Sequence, residues 1–81
     1  MQEVKKAMEV RLFVHDGYFI EVIITKRTYR AYLYRASIGY KMPILRTNIC
    51  ELTLEEFLAY ILVKKWDKSV ASYKAMFEDE Q

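Results

Sequence analysis

The dipeptide Asp16-Gly17 constrains this chain more than any other feature, because it lies between two stretches that alternate with period two. A two-residue turn of type I′ needs a positive φ at both positions, and Asp and Gly tolerate that conformation. Residues 9–15 and 18–26 alternate apolar side chains with others, which is typical of half-buried strands. The sequence therefore predicts an antiparallel hairpin, with one strand over residues 9–15 and its return over residues 18–26.

The alternation divides each strand of this hairpin into two faces. The first strand places aliphatic side chains on one face, namely Val10, Leu12 and Val14. Its other face carries Arg11, Phe13 and His15. We expect the aliphatic face to turn inward together with Ile20, Val22 and Ile24 of the return strand. Arg11 and Phe13 then point outward, on the same side as Phe19 and Ile23.

The next stretch, residues 26–46, is rich in basic residues and tyrosines and has no acidic residue. It predicts a third strand over residues 29–37 and a fourth, irregular strand over residues 40–49. Pro43 cannot donate to a sheet ladder, so the fourth strand should form a sheet edge and carry a bulge. We expect Tyr29, Ala31 and Leu33 to turn inward. The other face of the third strand has two tyrosine hydroxyls and a guanidinium, which are easier to leave in water; it consists of Arg30, Tyr32 and Tyr34.

A helix is predicted from Leu54, because Thr53-Leu54-Glu55-Glu56 has the capping-box pattern. A first apolar stripe should cover the sheet and consists of Leu54, Phe57, Leu58, Ile61 and Leu62. A second stripe is rotated from it by roughly a third of a turn and consists of Trp66, Val70, Tyr73 and Phe77. The offset predicts a kink or split near residues 66–69. The second stripe is either core or a second interface, and the sequence leaves both open.

These elements predict an α+β fold, a four-stranded antiparallel meander with a C-terminal helix packed on one face (ββββα). A chain of 81 residues makes a single domain, residues 1–81. Residues 1–8 are expected to form a frayed arm or short helix, and residues 78–81 a frayed acidic tail.

Several function classes are excluded by composition. With one Cys and one His, the chain offers neither a disulfide framework nor the usual set of zinc ligands. Cys50 is expected to be a small buried hydrophobe. His15 beside Asp16 resembles a general base, but a lone His at a turn is far more often solvated. We therefore expect no catalytic residue, no metal, no cofactor and no enzymatic activity. A single thiol and the absence of a signal peptide or membrane span indicate an intracellular, cytoplasmic protein that does not enter the membrane.

The chain has more apolar surface than one small core needs, since 53% of its residues are hydrophobic. We therefore predict a non-enzymatic binding protein that docks a tyrosine- and arginine-rich sheet face onto a protein or nucleoprotein partner. It would act as an inhibitor or adaptor, of the kind that phages and other mobile elements encode. The predicted binding residues are Arg11, Phe13, Arg30, Tyr32, Tyr34 and Arg35.

Three alternatives concern the same sheet face. Exposed aromatic rings flanked by arginines can hold single-stranded nucleic acid, because bases stack on the rings while the cations neutralise phosphate. The face can also contact a second copy of the chain in a homodimer, or remain an ordinary, partly exposed sheet surface.

Overall fold

The computed structural model describes residues 8–78, in which four strands precede a C-terminal helical segment. The strands are β1 (Glu9–His15), β2 (Tyr18–Ile24), β3 (Thr28–Tyr34) and β4 (Met42–Asn48). They form one antiparallel sheet in the order β1-β2-β3-β4, which confirms the predicted ββββα class. The expectations for residues 1–7 and 79–81 lie outside the described residues.

The β1–β2 hairpin turns at Asp16 and Gly17, with φ angles of 53° and 81°. These are the two positive angles that a type I′ turn requires. Because the loop has two residues, His15 pairs with Tyr18, and every odd-numbered residue of β1 faces an even-numbered residue of β2. The two even-numbered sets therefore lie on opposite faces of the sheet.

This register makes the predicted facing of β1 wrong. Arg11 pairs with Val22 and Phe13 with Ile20, and both partners are fully buried under the helix. Arg11 and Phe13 therefore lie on the helix side of the sheet. The aliphatic side chains of β1, which we expected inside, lie on the opposite side and are exposed: Val10, Leu12 and Val14.

The predicted facing of β3 is confirmed, since Tyr29, Ala31 and Leu33 are all buried. β4 is an edge strand, and its register shifts next to Ala31 and Tyr32. Ala31 faces Leu45 while Tyr32 faces Pro43, so one additional residue of β4 bulges between them. The irregular edge strand predicted from Pro43 is thus present.

The helical segment contains α1 (Leu54–Tyr60), a π-helical turn (Ile61–Lys65), α2 (Trp66–Tyr73) and a second π-helical turn (Lys74–Glu78). Its buried side chains follow one another at steps of four, five, three and four residues: Phe57, Ile61, Trp66, Ser69 and Tyr73. The step of five coincides with the first π turn, in which backbone bonds run from i to i+5. The predicted split between the two stripes is therefore one widened turn.

Aromatic packing joins the helical segment to the sheet. The ring of Phe57 lies 5.0 Å from that of Tyr29. Trp66 meets the tip of the hairpin edge-on, with its ring 4.9 Å from His15 and 5.9 Å from Tyr18. His15 is therefore half-buried, contrary to the solvated histidine that we expected.

Cys50 also departs from expectation, because it is exposed in the 3₁₀ turn Ile49–Glu51 rather than buried. This short turn leads from β4 toward the helix, and none of its residues is buried. The thiol therefore adds nothing to the core.

The capping box at the start of α1 is complete and gives a first testable prediction. Thr53 Oγ1 accepts a hydrogen bond from the Glu56 amide at 3.1 Å, and Glu56 Oε1 accepts one from the Thr53 amide at 2.8 Å. Replacing a capping hydroxyl usually costs about 1 kcal/mol. Thr53→Ala should therefore lower the free energy of unfolding in urea by about that amount, and Thr53→Ser should retain the wild-type value. Equal loss in both variants would contradict this role of the hydroxyl.

Candidate functional site

The sheet face turned away from the helix is not covered by the helical segment. We call it the open face. None of its side chains is buried, and it consists of Val10, Leu12, Val14, Phe19, Glu21, Ile23, Arg30, Tyr32, Tyr34, Pro43 and Arg46.

Strand pairing arranges these side chains in three rows across the sheet. Nearest the hairpin tip, the row reads Val14, Phe19, Tyr34. The middle row reads Leu12, Glu21, Tyr32, Pro43. The third row reads Val10, Ile23, Arg30, Arg46. The open face therefore changes from aliphatic at β1 to aromatic in the centre and basic at the far end of β3 and β4.

The aliphatic side of the open face is strongly exposed. Val10, Leu12 and Val14 keep 55%, 53% and 65% of their surface accessible. Single exposed aliphatic residues are common, but three in a row on one strand form a contiguous apolar patch. This patch is the main apolar feature that a binding hypothesis for the open face has to explain.

The centre of the open face is ordered by aromatic and ionic contacts. Phe19 and Tyr34 stack with their ring centres 5.2 Å apart. Lys41, from the loop before β4, places Nζ 5.3 Å from the Tyr34 ring centre and 2.7 Å from Glu21 Oε1. The hydrogen bond to Glu21 raises the pKa of Lys41. Glu21, with 12% of its side chain exposed, is therefore mostly covered and ion-paired with Lys41.

The basic end of the open face places Arg30 directly opposite Arg46. Like charges at directly opposed positions destabilise a sheet. Within residues 8–78, neither guanidinium forms an ion pair with an acidic side chain. The pair forms a small basic site beside the bulge, where an anionic group of a ligand would offset the repulsion.

The structure brings together half of the predicted binding residues, namely Arg30, Tyr32 and Tyr34. The other half lies on the helix side of the sheet. There Arg11 Nη2 binds Glu9 Oε1 at 2.8 Å, and Phe13 packs against the core. Arg35 has no place on the open face either, because its guanidinium lies 4.3 Å over the Tyr18 ring.

Arg35 also fixes the end of the helical segment. Its Nε donates to Glu78 Oε2 at 2.7 Å, and the Tyr18 hydroxyl donates to the same carboxylate at 3.2 Å. Glu78, which we assigned to the frayed acidic tail, is therefore anchored to β2 and to the end of β3. The role of Arg35 in this arrangement is structural.

No family model, curated protein or solved structure matches this chain. Within residues 8–78, no helix is both long and apolar enough to cross a bilayer. The same residues contain no cluster of three or more side chains suited to hold a metal ion. The candidate site therefore rests on the geometry of the open face.

The second helical stripe belongs mainly to the core. Trp66 and Tyr73 are 8% and 0% exposed, and Val70 is half-buried against the core. The Tyr73 hydroxyl donates to the Tyr40 carbonyl at 2.9 Å and accepts from the Arg35 amide at 3.3 Å. Of the four residues predicted as a second interface, Phe77 alone is exposed beyond a third of its surface.

Sequence reasoning missed three parts of the open face. The aliphatic patch of β1 was assigned to the core, although the two-residue loop implied the opposite facing. The contact between Glu21 and Lys41 depends on the path of the loop between β3 and β4, and no local pattern specifies that path. The position of Arg46 opposite Arg30 depends on the bulge in β4, and the local sequence does not specify where that bulge lies.

Proposed function

We propose that this protein is a non-enzymatic binding module that docks its open face onto a protein partner and acts as an inhibitor or adaptor. The observation that carries the proposal is the ordered change across this face, from exposed aliphatic side chains through aromatic rings to paired arginines. The small size of the chain suits a factor encoded by a phage or another mobile element, and that origin is part of the proposal.

The composition of the open face favours a protein partner. Interface centres are enriched in tyrosine, other aromatic residues and arginine, and apolar contacts there exclude water. Tyr32 and Tyr34 lie on the central strand β3, with Arg30 on the same face of that strand. Phe19 and Glu21 of β2 lie between these tyrosines and the aliphatic patch of β1. A partner with an apolar surface bordered by acidic side chains would match all three zones.

The arginine pair specifies the chemistry of the partner more closely. Arg30 and Arg46 present planar donors that bind carboxylates with two parallel hydrogen bonds. A carboxylate placed between them would relieve their mutual repulsion and leave the aromatic centre for apolar contact. We therefore expect an Asp or Glu of the partner to contact this end of the face.

A capture experiment with matched variants tests the proposal. Immobilised wild-type protein should retain a partner from nuclease-treated lysate of the source organism. Tyr32→Ala should raise the dissociation constant of that partner about 30-fold, since loss of an interface hot spot costs about 2 kcal/mol. Tyr60→Ala is the control, because Tyr60 is 46% exposed but lies on the helix.

The two variants also define the result that contradicts the proposal. Circular dichroism should show both of them folded. If Tyr32→Ala and Tyr60→Ala then bind the captured protein as tightly as the wild type does, the open face is not the docking surface.

A second candidate function is single-stranded nucleic-acid binding, favoured by the position of Tyr32 beside the opposed arginines. Arg11, Phe13 and Arg35 do not contribute to it on this face, and aliphatic side chains offer bases no ring to stack on. Binding to a generic oligonucleotide should weaken with salt, with a slope near −0.7 per phosphate neutralised. Lack of binding at low salt rules this candidate out.

A further inference from the structure

The two edges of the sheet are not equivalent. Edge strand β4 carries Pro43 and a bulge, and both features hinder the addition of another strand. Edge strand β1 has no proline, and it pairs with β2 in unbroken register over all seven of its residues. Within residues 8–78 no strand pairs with the outer edge of β1, and natural proteins seldom leave such a regular, apolar edge unpaired. The β1 edge is therefore where the fold can accept a further strand.

The free backbone groups of β1 belong to the same residues as the exposed aliphatic side chains. A type I′ turn closes with a hydrogen-bonded pair, here His15 and Tyr18, and bonded pairs then alternate along the hairpin. The odd-numbered residues of β1 thus bond to β2. The even-numbered residues direct their N–H and C=O groups to the free edge, and these are Val10, Leu12 and Val14.

We infer that β1 pairs antiparallel with β1 of a second copy of this chain, about a two-fold axis at Leu12. The two four-stranded sheets then become one continuous sheet. At every position of the free edge, each copy supplies the hydrogen-bonding partner that the other copy lacks. The same strand serves both copies, so the contact is self-complementary.

The side chains favour this register on both faces. On the open face, Leu12 meets Leu12 of the second copy, and Val10 meets Val14. On the helix side, Arg11 faces Phe13 of the second copy, which allows a cation–π contact, and Glu9 faces His15. Shifting the strands by one hydrogen-bonded pair places Arg11 opposite either Arg11 or His15 of the second copy. Those registers oppose basic side chains and shorten the overlap.

The helical segment leaves room for this pairing. Glu9 and Arg11, on the helix side of β1, keep 60% and 52% of their side chains exposed. The pairing covers the β1 edge of both copies. The outer edges of the eight-stranded sheet are then the two β4 strands, which carry Pro43. Growth therefore stops at a dimer, in which the two open faces form one surface. The pairing uses the strand edge rather than the open face, so it stands or fails independently of the proposed partner.

Cysteine cross-linking tests the dimer and its register together. In a Cys50→Ser background, Leu12→Cys should form a disulfide-linked dimer under mild oxidation, because hydrogen-bonded pairs hold Cα atoms about 5.5 Å apart. Val10→Cys is the matched control. Its two copies would lie about 14 Å apart along the strand, beyond the reach of a disulfide. Mixing Val10→Cys with Val14→Cys should restore the cross-link.

Light scattering provides the second measurement. The wild-type chain of 9.7 kDa should scatter with twice its monomer mass. Leu12→Pro should be a folded monomer, since it removes an amide from the free edge and leaves the bonds to β2 intact. A wild-type monomer at high concentration overturns the inference. Equal cross-linking of Leu12→Cys and Val10→Cys overturns it as well.

Discussion

Deleting Val63 should leave the stability of the protein nearly unchanged, whereas deleting Ala71 should destabilise it strongly. Val63 lies in the first π turn and is 75% exposed. Its removal shortens the step from Ile61 to Trp66 from five residues to four, which is the spacing of a regular α-helix. Both side chains then keep their places in the core, and the π turn becomes an α turn.

Ala71 is also exposed, but it lies in regular α-helix. Its deletion rotates Tyr73 by about 100° around the helix axis, out of a site where the side chain is fully buried. Losing a buried aromatic side chain costs about 3–5 kcal/mol. The total stability expected of a chain this size is about 4–12 kcal/mol, so the deletion would remove about a quarter of it or more.

Thermal unfolding followed by circular dichroism separates the two deletions. We expect a cooperative transition near the wild-type midpoint for the Val63 deletion and a much lower midpoint, or no transition, for the Ala71 deletion. If the two deletions destabilised the protein equally, the alignment of the two stripes would not be the reason for the π turn.

The elements of this fold could be predicted from the sequence because each has a local signal. The positive φ angles at Asp16 and Gly17, the capping box at Thr53 and the missing amide of Pro43 act within a few residues. Strand order followed from the short connections. The irregular helix followed from the offset between its two apolar stripes, although its physical form, a π turn, did not.

The candidate site was harder to predict, because it depends on which face of each strand is covered. For β3 the polar atoms of Tyr32, Tyr34 and Arg30 decided the facing correctly. For β1, hydrophobicity predicted that the aliphatic face is buried. The two-residue loop sets a register that places this face on the opposite side of the sheet from the helix. Hydrophobicity alone predicts that the aliphatic face of β1 is buried and that its other face is exposed. In the structure the aliphatic face is exposed, whereas Phe13 and His15 are half-buried. Where local pattern and register disagree in β1, the register decides which side chains are exposed.

Trp66→Ala should lower the free energy of unfolding by about 3–5 kcal/mol, the usual cost of truncating a buried Trp or Phe. The indole is 8% exposed and contacts His15 and Tyr18 edge-on, so it joins the helix to the hairpin tip. Urea unfolding followed by circular dichroism measures the loss. In the wild type, fluorescence of this single tryptophan should change in the same transition.

Phe77→Ala is the informative comparison, because Phe77 belongs to the same stripe but is 37% exposed. Its ring contacts Tyr40 and Tyr73, with centroids 4.7 Å and 4.9 Å away. Losing such aromatic pairs should cost about 1 kcal/mol. If the stripe were a partner surface, both variants would have the same urea midpoint of unfolding as the wild type. A large loss for Trp66→Ala and a small one for Phe77→Ala would place the stripe in the core and leave the sheet as the surface available for binding.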